Sequence, residues 1–86
     1  MNLTISIHTI EKTLYEGTAD AIQLPGTDGE LGVLAMHQPL ISSLKRGTIR
    51  LHSVKGGETT QIPINGGFVE IQPESKVVVL ADAVSF

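Results

Sequence analysis

Closely spaced turn residues divide this chain into short apolar segments, and they restrict its possible folds more than any other feature. The run from Leu24 to Leu51 holds four glycines and two prolines between its apolar pieces. A second run, from Asn65 to Asp82, has the same character. Segments this short can bury their apolar sides only against a facing layer of similar segments. The spacing therefore predicts a compact all-β domain.

Within these segments, apolar and polar residues alternate with a period of two, which is typical of strands with one buried face. The clearest example places Leu3, Ile5 and Ile7 on one face. The alternation recurs at Ile49 and Leu51, Ile62 and Ile64, and Val69 and Ile71. The run 77–81 is apolar throughout, which favours a strand covered on both faces. We expect a flattened β-sandwich or barrel of about ten short strands in two sheets.

Turns are expected where glycine, proline, asparagine and aspartate cluster. The expected turns are Glu16-Gly17, Pro25-Gly26, Asp28-Gly29, Arg46-Gly47, Gly56-Gly57, Asn65-Gly66-Gly67 and Pro73-Glu74-Ser75. Pro63 lies inside a strand-like segment, so we expect it at a sheet edge or a bulge. The segment 38–45 has helical spacing for one turn only. We predict that it is a strand or irregular, because Pro39 and Gly47 confine it.

Composition excludes several classes of function for a single domain over residues 1–86. The chain has no cysteine, so it can form neither disulfides nor thiolate metal sites. A net charge of -3 and only three aromatic residues argue against nucleic-acid binding. No apolar run approaches the ~20 residues that span a bilayer, and the N-terminus does not have the pattern of a signal peptide. We therefore expect any link to a membrane to go through a partner.

No arrangement of reactive residues predicts catalysis. The three histidines, His8, His37 and His52, lack a second ligand at metal-binding spacing. The glycines Gly26, Gly29 and Gly32 match neither a phosphate loop nor a dinucleotide fingerprint. We predict no catalytic residue, no cofactor and no metal, and we favour a binding or structural protein over an enzyme.

Two stretches of the chain resemble the epsilon subunit of F-type ATP synthases most clearly, and the similarity covers nearly the whole chain. The matching residues, in chain order, are Gly29-Glu30-Leu31-Gly32, His37, Pro39-Leu40, Gly47-Thr48-Ile49-Arg50, Gly66-Gly67-Phe68-Val69-Glu70-Ile71 and Val79-Leu80-Ala81-Asp82. One departure is Ala35-Met36 before His37, where Pro-Gly or a similar turn is common in that family.

The resemblance implies a non-catalytic subunit of the central stalk with a β-sandwich of about ten strands. In that family the sandwich binds the gamma subunit and rests on the ring of c subunits. Rotation driven by protons or sodium ions thereby reaches the alpha/beta catalytic head. The family positions that face the ring are Glu30, Leu31 and His37, and Ser42 maps to the gamma-facing side. The implied location is peripheral, on the cytoplasmic face of the membrane, or on the matrix or stromal side in an organelle.

Members of the family usually continue with a helical hairpin that can inhibit ATP hydrolysis and in some members binds ATP. This sequence stops at Phe86, so neither property is expected of it. The chain is either a natural short form or a truncated fragment, and its initial Met favours the first. Two alternatives stay open. One is a stand-alone β-sandwich adaptor for another protein, and the other is a small hydrolase that uses Ser42 or Ser43 with a histidine.

Overall fold

The structure, a computed structural model, describes residues 2–53, 57 and 59–82. Seven strands in this part of the chain form one sheet, in the order β2-β1-β7-β6-β5-β3-β4. The strands are β1 (Leu3–His8), β2 (Thr13–Ala19), β3 (Ala21–Gly26), β4 (Gly29–Leu34), β5 (Leu40–His52), β6 (Thr59–Gln72) and β7 (Lys76–Ala81). Neighbouring strands are antiparallel, except for the parallel pair β1 and β7. The prediction of an all-β domain is confirmed.

The number of strands differs from the prediction because two strands are much longer than expected. β5 has 13 residues and β6 has 14. They pair with each other from Leu40 and Ile71 at one end to His52 and Thr59 at the other. Each long strand takes the place of two short ones, so in the described residues one continuous sheet replaces the two that we expected.

Both long strands change the face that they bury near their midpoints. In β5 the buried Leu44 is followed by the buried Ile49, five residues later. In β6 the buried Ile64 and Val69 are separated in the same way. Because side chains alternate between faces along a strand, an odd spacing moves burial to the other face. The strand pair therefore bends here, and both of its halves face one core.

Two glycines allow this bend. Gly67 has a φ of 139°, and a Cβ there would meet the carbonyl oxygen of Leu80 and lie 2.8 Å from the Cα of Ala81. A Cβ at Gly47 would lie 2.7 Å from the Cβ of Pro25. The turns predicted at Arg46-Gly47 and Asn65-Gly66-Gly67 are thus wrong. Their glycines bend two paired strands instead of reversing the chain.

The other predicted turns have mixed outcomes. Asp28-Gly29 is confirmed at the β3–β4 connection, and Pro73-Glu74-Ser75 is confirmed between β6 and β7. Pro25-Gly26 ends β3 immediately before the turn. Glu16-Gly17 is wrong, since it lies inside β2. Gly56-Gly57 lies partly outside the described residues.

Two predictions on the long strands are confirmed. Pro63 lies at an edge, because it pairs with Thr48 of β5, whereas the described pairing of β6 with β7 begins only at Gly67. Proline has no N–H to donate to a further strand, which is why it is tolerated at such an edge. The segment 38–45 is extended from Leu40 onwards, as the first part of β5.

A single cluster of buried apolar side chains forms the core. Its members are Leu3, Ile5, Ile7, Ala19, Ile22, Leu24, Val33, Leu44, Ile49, Leu51, Ile64, Val69, Ile71, Val77, Val79 and Ala81. The prediction that 77–81 is covered on both faces is wrong. Val77 and Val79 are buried, but Leu80 is 52% exposed, because no described element covers the outward face of β7.

Candidate functional site

Two of the predicted contact residues, Glu30 and Leu31, lie on β4, the last strand of the sheet. Glu30 is exposed and pairs with Pro25 of β3. Leu31 is half-buried and packs against the core. Successive side chains of a strand point to opposite faces, so Glu30 projects outward and Leu31 inward. Of these two residues, Glu30 is therefore the one better placed to meet a partner.

The third predicted contact residue, His37, lies in the loop between β4 and β5. Its backbone N–H donates to the Leu34 carbonyl at 3.2 Å, and its ring Nδ1 is 2.8 Å from the Gln38 carbonyl oxygen. A carbonyl oxygen can only accept, so this contact places the hydrogen of the neutral ring on Nδ1. Nε2 then remains as an acceptor.

This loop is attached to the β6–β7 turn. The backbone N–H of Met36 donates to the Ser75 hydroxyl at 2.9 Å. Met36 adopts a φ of 68° and Ser75 a φ of 60°, both in the left-handed region that few non-glycine residues adopt. Ala35-Met36, the pair that departs from the resembled family, thus forms a turn. The hydrogen bond from Met36 to Ser75 links this turn to the β6–β7 turn.

Glu30 and His37 lie near opposite ends of β4. Glu30 follows the β3–β4 turn, whereas the His37 backbone bonds to Leu34 at the end of the strand. Leu34 is four residue steps along the strand from Glu30, which corresponds to about 13 Å. A partner that contacts both residues must therefore extend along the whole strand.

Ser42 lies in the first part of β5, opposite Val69 of β6. It is half-buried and lies on the same face of the strand as Leu40 and Leu44, which point toward the core. Its neighbour Ile41 points outward and is 72% exposed. One of the two exposed residues next to this predicted gamma contact is thus an isoleucine that the sequence had not singled out, and the other is Ser43.

An apolar surface that sequence reasoning missed lies on the outward face of β5, β6 and β7. It consists of Ile41, Phe68, Val78 and Leu80, here called the outer patch. Phe68 is 58% exposed and pairs with Leu80, while Val78 is half-buried. Contiguous exposed apolar side chains of this kind mark interaction sites. One sequence feature could have revealed this surface. In the alternation of β6, Phe68 falls on the face opposite to that of Val69 and Ile71.

Two open grooves run across this face. One, of about 400 Å³, is lined by Pro39, Leu40, Ile41, Glu70, Ile71, Gln72 and Pro73. The other, of about 310 Å³, is lined by Ile41, Phe68, Val69, Glu70, Val78 and Leu80. Ile41 and Glu70 line both grooves and thus stand between them.

The described residues form no arrangement suited to metal binding or catalysis. No group of three or more His, Asp or Glu side chains converges there. His8 bonds with Thr13 at 3.1 Å, and His52 lies 3.4 Å from both Gln23 and Thr59. The Ser43 hydroxyl shares a 2.7 Å hydrogen bond with Thr27. The hydrolase alternative therefore gains no supporting contact within this part of the chain.

The described residues include no helix long and apolar enough to cross a membrane.

Comparison with known proteins gives a consistent result. The family model of the ATP synthase, Delta/Epsilon chain, beta-sandwich domain matches residues 2–86. The ATP synthase epsilon chain of Desulforudis audaxviator is 46% identical over 79 residues, which cover 92% of this chain and 56% of the relative. ATP synthase epsilon chain 2 of Ralstonia nicotianae is 41% identical over 80 residues, or 93% of this chain and 56% of the relative. The chain thus spans just over half the length of these relatives.

Solved structures share the fold. A chain of the Euglena gracilis mitochondrial ATP synthase, solved as OSCP/F1/c-ring, has a TM-score of 0.83 at 24% identity; the match covers 98% of this chain and 51% of that one. A chain of the Tetrahymena thermophila mitochondrial ATP synthase central stalk/c-ring has a TM-score of 0.74 at 15% identity, over 96% and 65% of the two chains. With nearly its whole length matched by the family model, this chain belongs to the ATP synthase delta/epsilon family and carries its beta-sandwich domain.

Proposed function

We propose that this chain is a non-catalytic subunit of the central stalk of an F-type ATP synthase, where it binds the gamma subunit and the c ring. Its relatives are named ATP synthase epsilon chains, and its structural neighbours come from complexes that contain F1 or central-stalk and c-ring parts. In this position it would pass ion-driven rotation to the alpha/beta head. It would be peripheral to the membrane, on the cytoplasmic side or on the matrix or stromal side.

The observation that carries this proposal is the outer patch. Ile41, Phe68 and Leu80 are each more than half exposed, although the core beneath them is complete. Full burial of one such side chain contributes about 1.5–3 kcal/mol, and much of that gain is offset by the cost of association. A coupling that does not slip needs an interface above ~1,000 Å² in total. We assign the outer patch as the centre of the gamma interface.

The c-ring contact is assigned to β4 and the loop that follows it. Glu30 and the half-buried His37 supply polar groups, and Leu31, next to Glu30, packs against the core. Polar and charged contacts of this kind favour a fixed orientation more than high affinity. The assignment of Ser42 to the gamma side is retained from the resemblance alone, because Ser42 lies on the inward face of β5, opposite the buried Val69, and only its neighbours Ile41 and Ser43 point outward.

The test replaces two residues of the patch and measures gamma binding. We expect the Phe68→Ser, Leu80→Ser double variant to bind the cognate gamma subunit at least ~10-fold more weakly in titration calorimetry, because two apolar anchors are lost. Its melting temperature should not change, since both side chains point away from the core. The control is Leu34→Ser, which alters a leucine that is 65% exposed on β4 and should leave gamma binding unchanged.

A folded wild-type chain that does not bind gamma at micromolar concentration would overturn the proposal. The adaptor alternative, in which the same patch binds a different protein, would then be preferred.

A further inference from the structure

Among the described residues, Glu70 is the only charged one that lines either groove of the outer face. It is exposed on β6, where Ile41 of β5 pairs with it on one side and Val78 of β7 on the other. The carboxylate therefore lies within an otherwise apolar row and not at its rim. A partner that covers the outer patch must also cover Glu70.

Covering this carboxylate requires a compensating group. Among the described residues, its hydrogen-bond partner is the Gln72 side chain, whose Nε2 donates to Oε1 at 3.0 Å. An ionised carboxylate can accept about four hydrogen bonds. A purely apolar partner would displace water from the remaining acceptor sites without replacing it, and burial of an unpaired charge is strongly unfavourable.

We propose that the partner of the outer patch places a Lys or Arg side chain against Glu70, with an apolar side chain in the groove on either side. The inference rests on the proposed function, in which this partner is the gamma subunit. A second copy of the chain fits this surface less well. A symmetric dimer with Glu70 close to its two-fold axis would bring two carboxylates together.

The experiment compares gamma binding by the wild type, Glu70→Gln and Glu70→Lys at low and high salt. Glu70→Gln keeps the size of the side chain and removes only its charge. We expect Glu70→Gln to lower the affinity for gamma about 10-fold at low salt, because a hydrogen bond to a charged group is lost. Glu70→Lys should lower it further. The wild type should lose affinity as salt rises, and Glu70→Gln should lose much less.

The matched control is Glu74→Gln, which removes a carboxylate from the exposed β6–β7 turn and should leave affinity unchanged. Equal or tighter binding by Glu70→Gln, in an assay where Phe68→Ser, Leu80→Ser still weakens binding, would overturn this inference and leave the proposed function intact. A wild type that does not bind gamma would overturn both. Rescue of Glu70→Lys by an acidic substitution at one gamma Lys or Arg would identify the partner residue.

Discussion

At the scale of single residues, Gly67 is the position of the described chain where glycine is most strictly required. The sequence suggests a hairpin turn there, because Asn-Gly pairs supply the positive φ angles of such turns. The structure uses the same angle to bend a strand, and the carbonyl oxygen of Leu80 occupies the space of a Cβ. The need for glycine was thus predictable from sequence. Its purpose was not, since the neighbour that fills the space is 13 residues away.

We expect Gly67→Ala to lower the free energy of unfolding by about 3 kcal/mol, from backbone strain together with the clash against β7. That is a large part of a total on the order of 4–13 kcal/mol for a chain of this size. Urea unfolding followed by circular dichroism measures the change. Gly32→Ala is the control, because a Cβ there meets nothing within 4 Å, and it should change stability by less than about 0.5 kcal/mol. Equal effects of the two substitutions would contradict this account.

The predicted contact residues differ in how they could be found. Glu30 and His37 came from the resemblance, since an exposed carboxylate beside a turn and a loop histidine look unremarkable by themselves. Phe68 and Leu80 went unnoticed because alternation assigns a residue to a face without telling which face is covered. Only the pairing of β5, β6 and β7 brings these residues into one surface.

At the scale of elements, β7 shows how an apolar run can have two different faces. Val77 and Val79 are fully buried, whereas Leu80 is exposed and belongs to the outer patch. The sequence treats these residues alike because all are apolar. Similarly, the lengths of β5 and β6 escaped prediction, since glycines inside both strands resemble turn signals and the pairing that overrides them is non-local.

We expect Val79→Ala to destabilise the domain by about 2 kcal/mol, from the loss of buried methyl groups and the cavity left behind. Leu80→Ala, one residue further on the same strand, should cost less than about 0.5 kcal/mol. Chemical denaturation of both variants under the same conditions measures the difference. Comparable losses would show that Leu80 supports the core, and the outer patch would then lose its interpretation as a docking surface.

At the scale of the whole molecule, two surfaces are proposed for two partners. The outer patch lies on β5 to β7, while Glu30 lies on β4 at the end of the sheet. Transfer of torque between two surfaces requires a rigid connection. The single core, to which both halves of β5 and β6 contribute, makes the domain between the two surfaces rigid. The class of fold was predictable from the spacing of turns. The continuity of the sheet was not, because it depends on pairing between distant segments.

At this scale we expect Glu30→Lys combined with His37→Glu to weaken coupling in the reconstituted complex. A reversed charge at residue 30 and an added charge at residue 37, both at the proposed ring contact, should lower the ion pumping obtained per ATP hydrolysed. The melting temperature should not change, since no core side chain is altered. Glu16→Lys on β2 is the control and should leave coupling unchanged. A large loss of stability in the double variant would show that Glu30 and His37 are structural residues.

The parallel pairing of β1 with β7 also has a mechanical consequence. The two strands run side by side from Thr4 and Lys76 to His8 and Leu80. A pull on the chain before β1 and after β7 therefore acts at opposite ends of the pair and along the strand axes. Such a load shears all the hydrogen bonds between the strands together, whereas a peeling load would break them one at a time. A domain joined in this way resists a pull along the axes of its first and last strands better than a pull that separates those strands sideways.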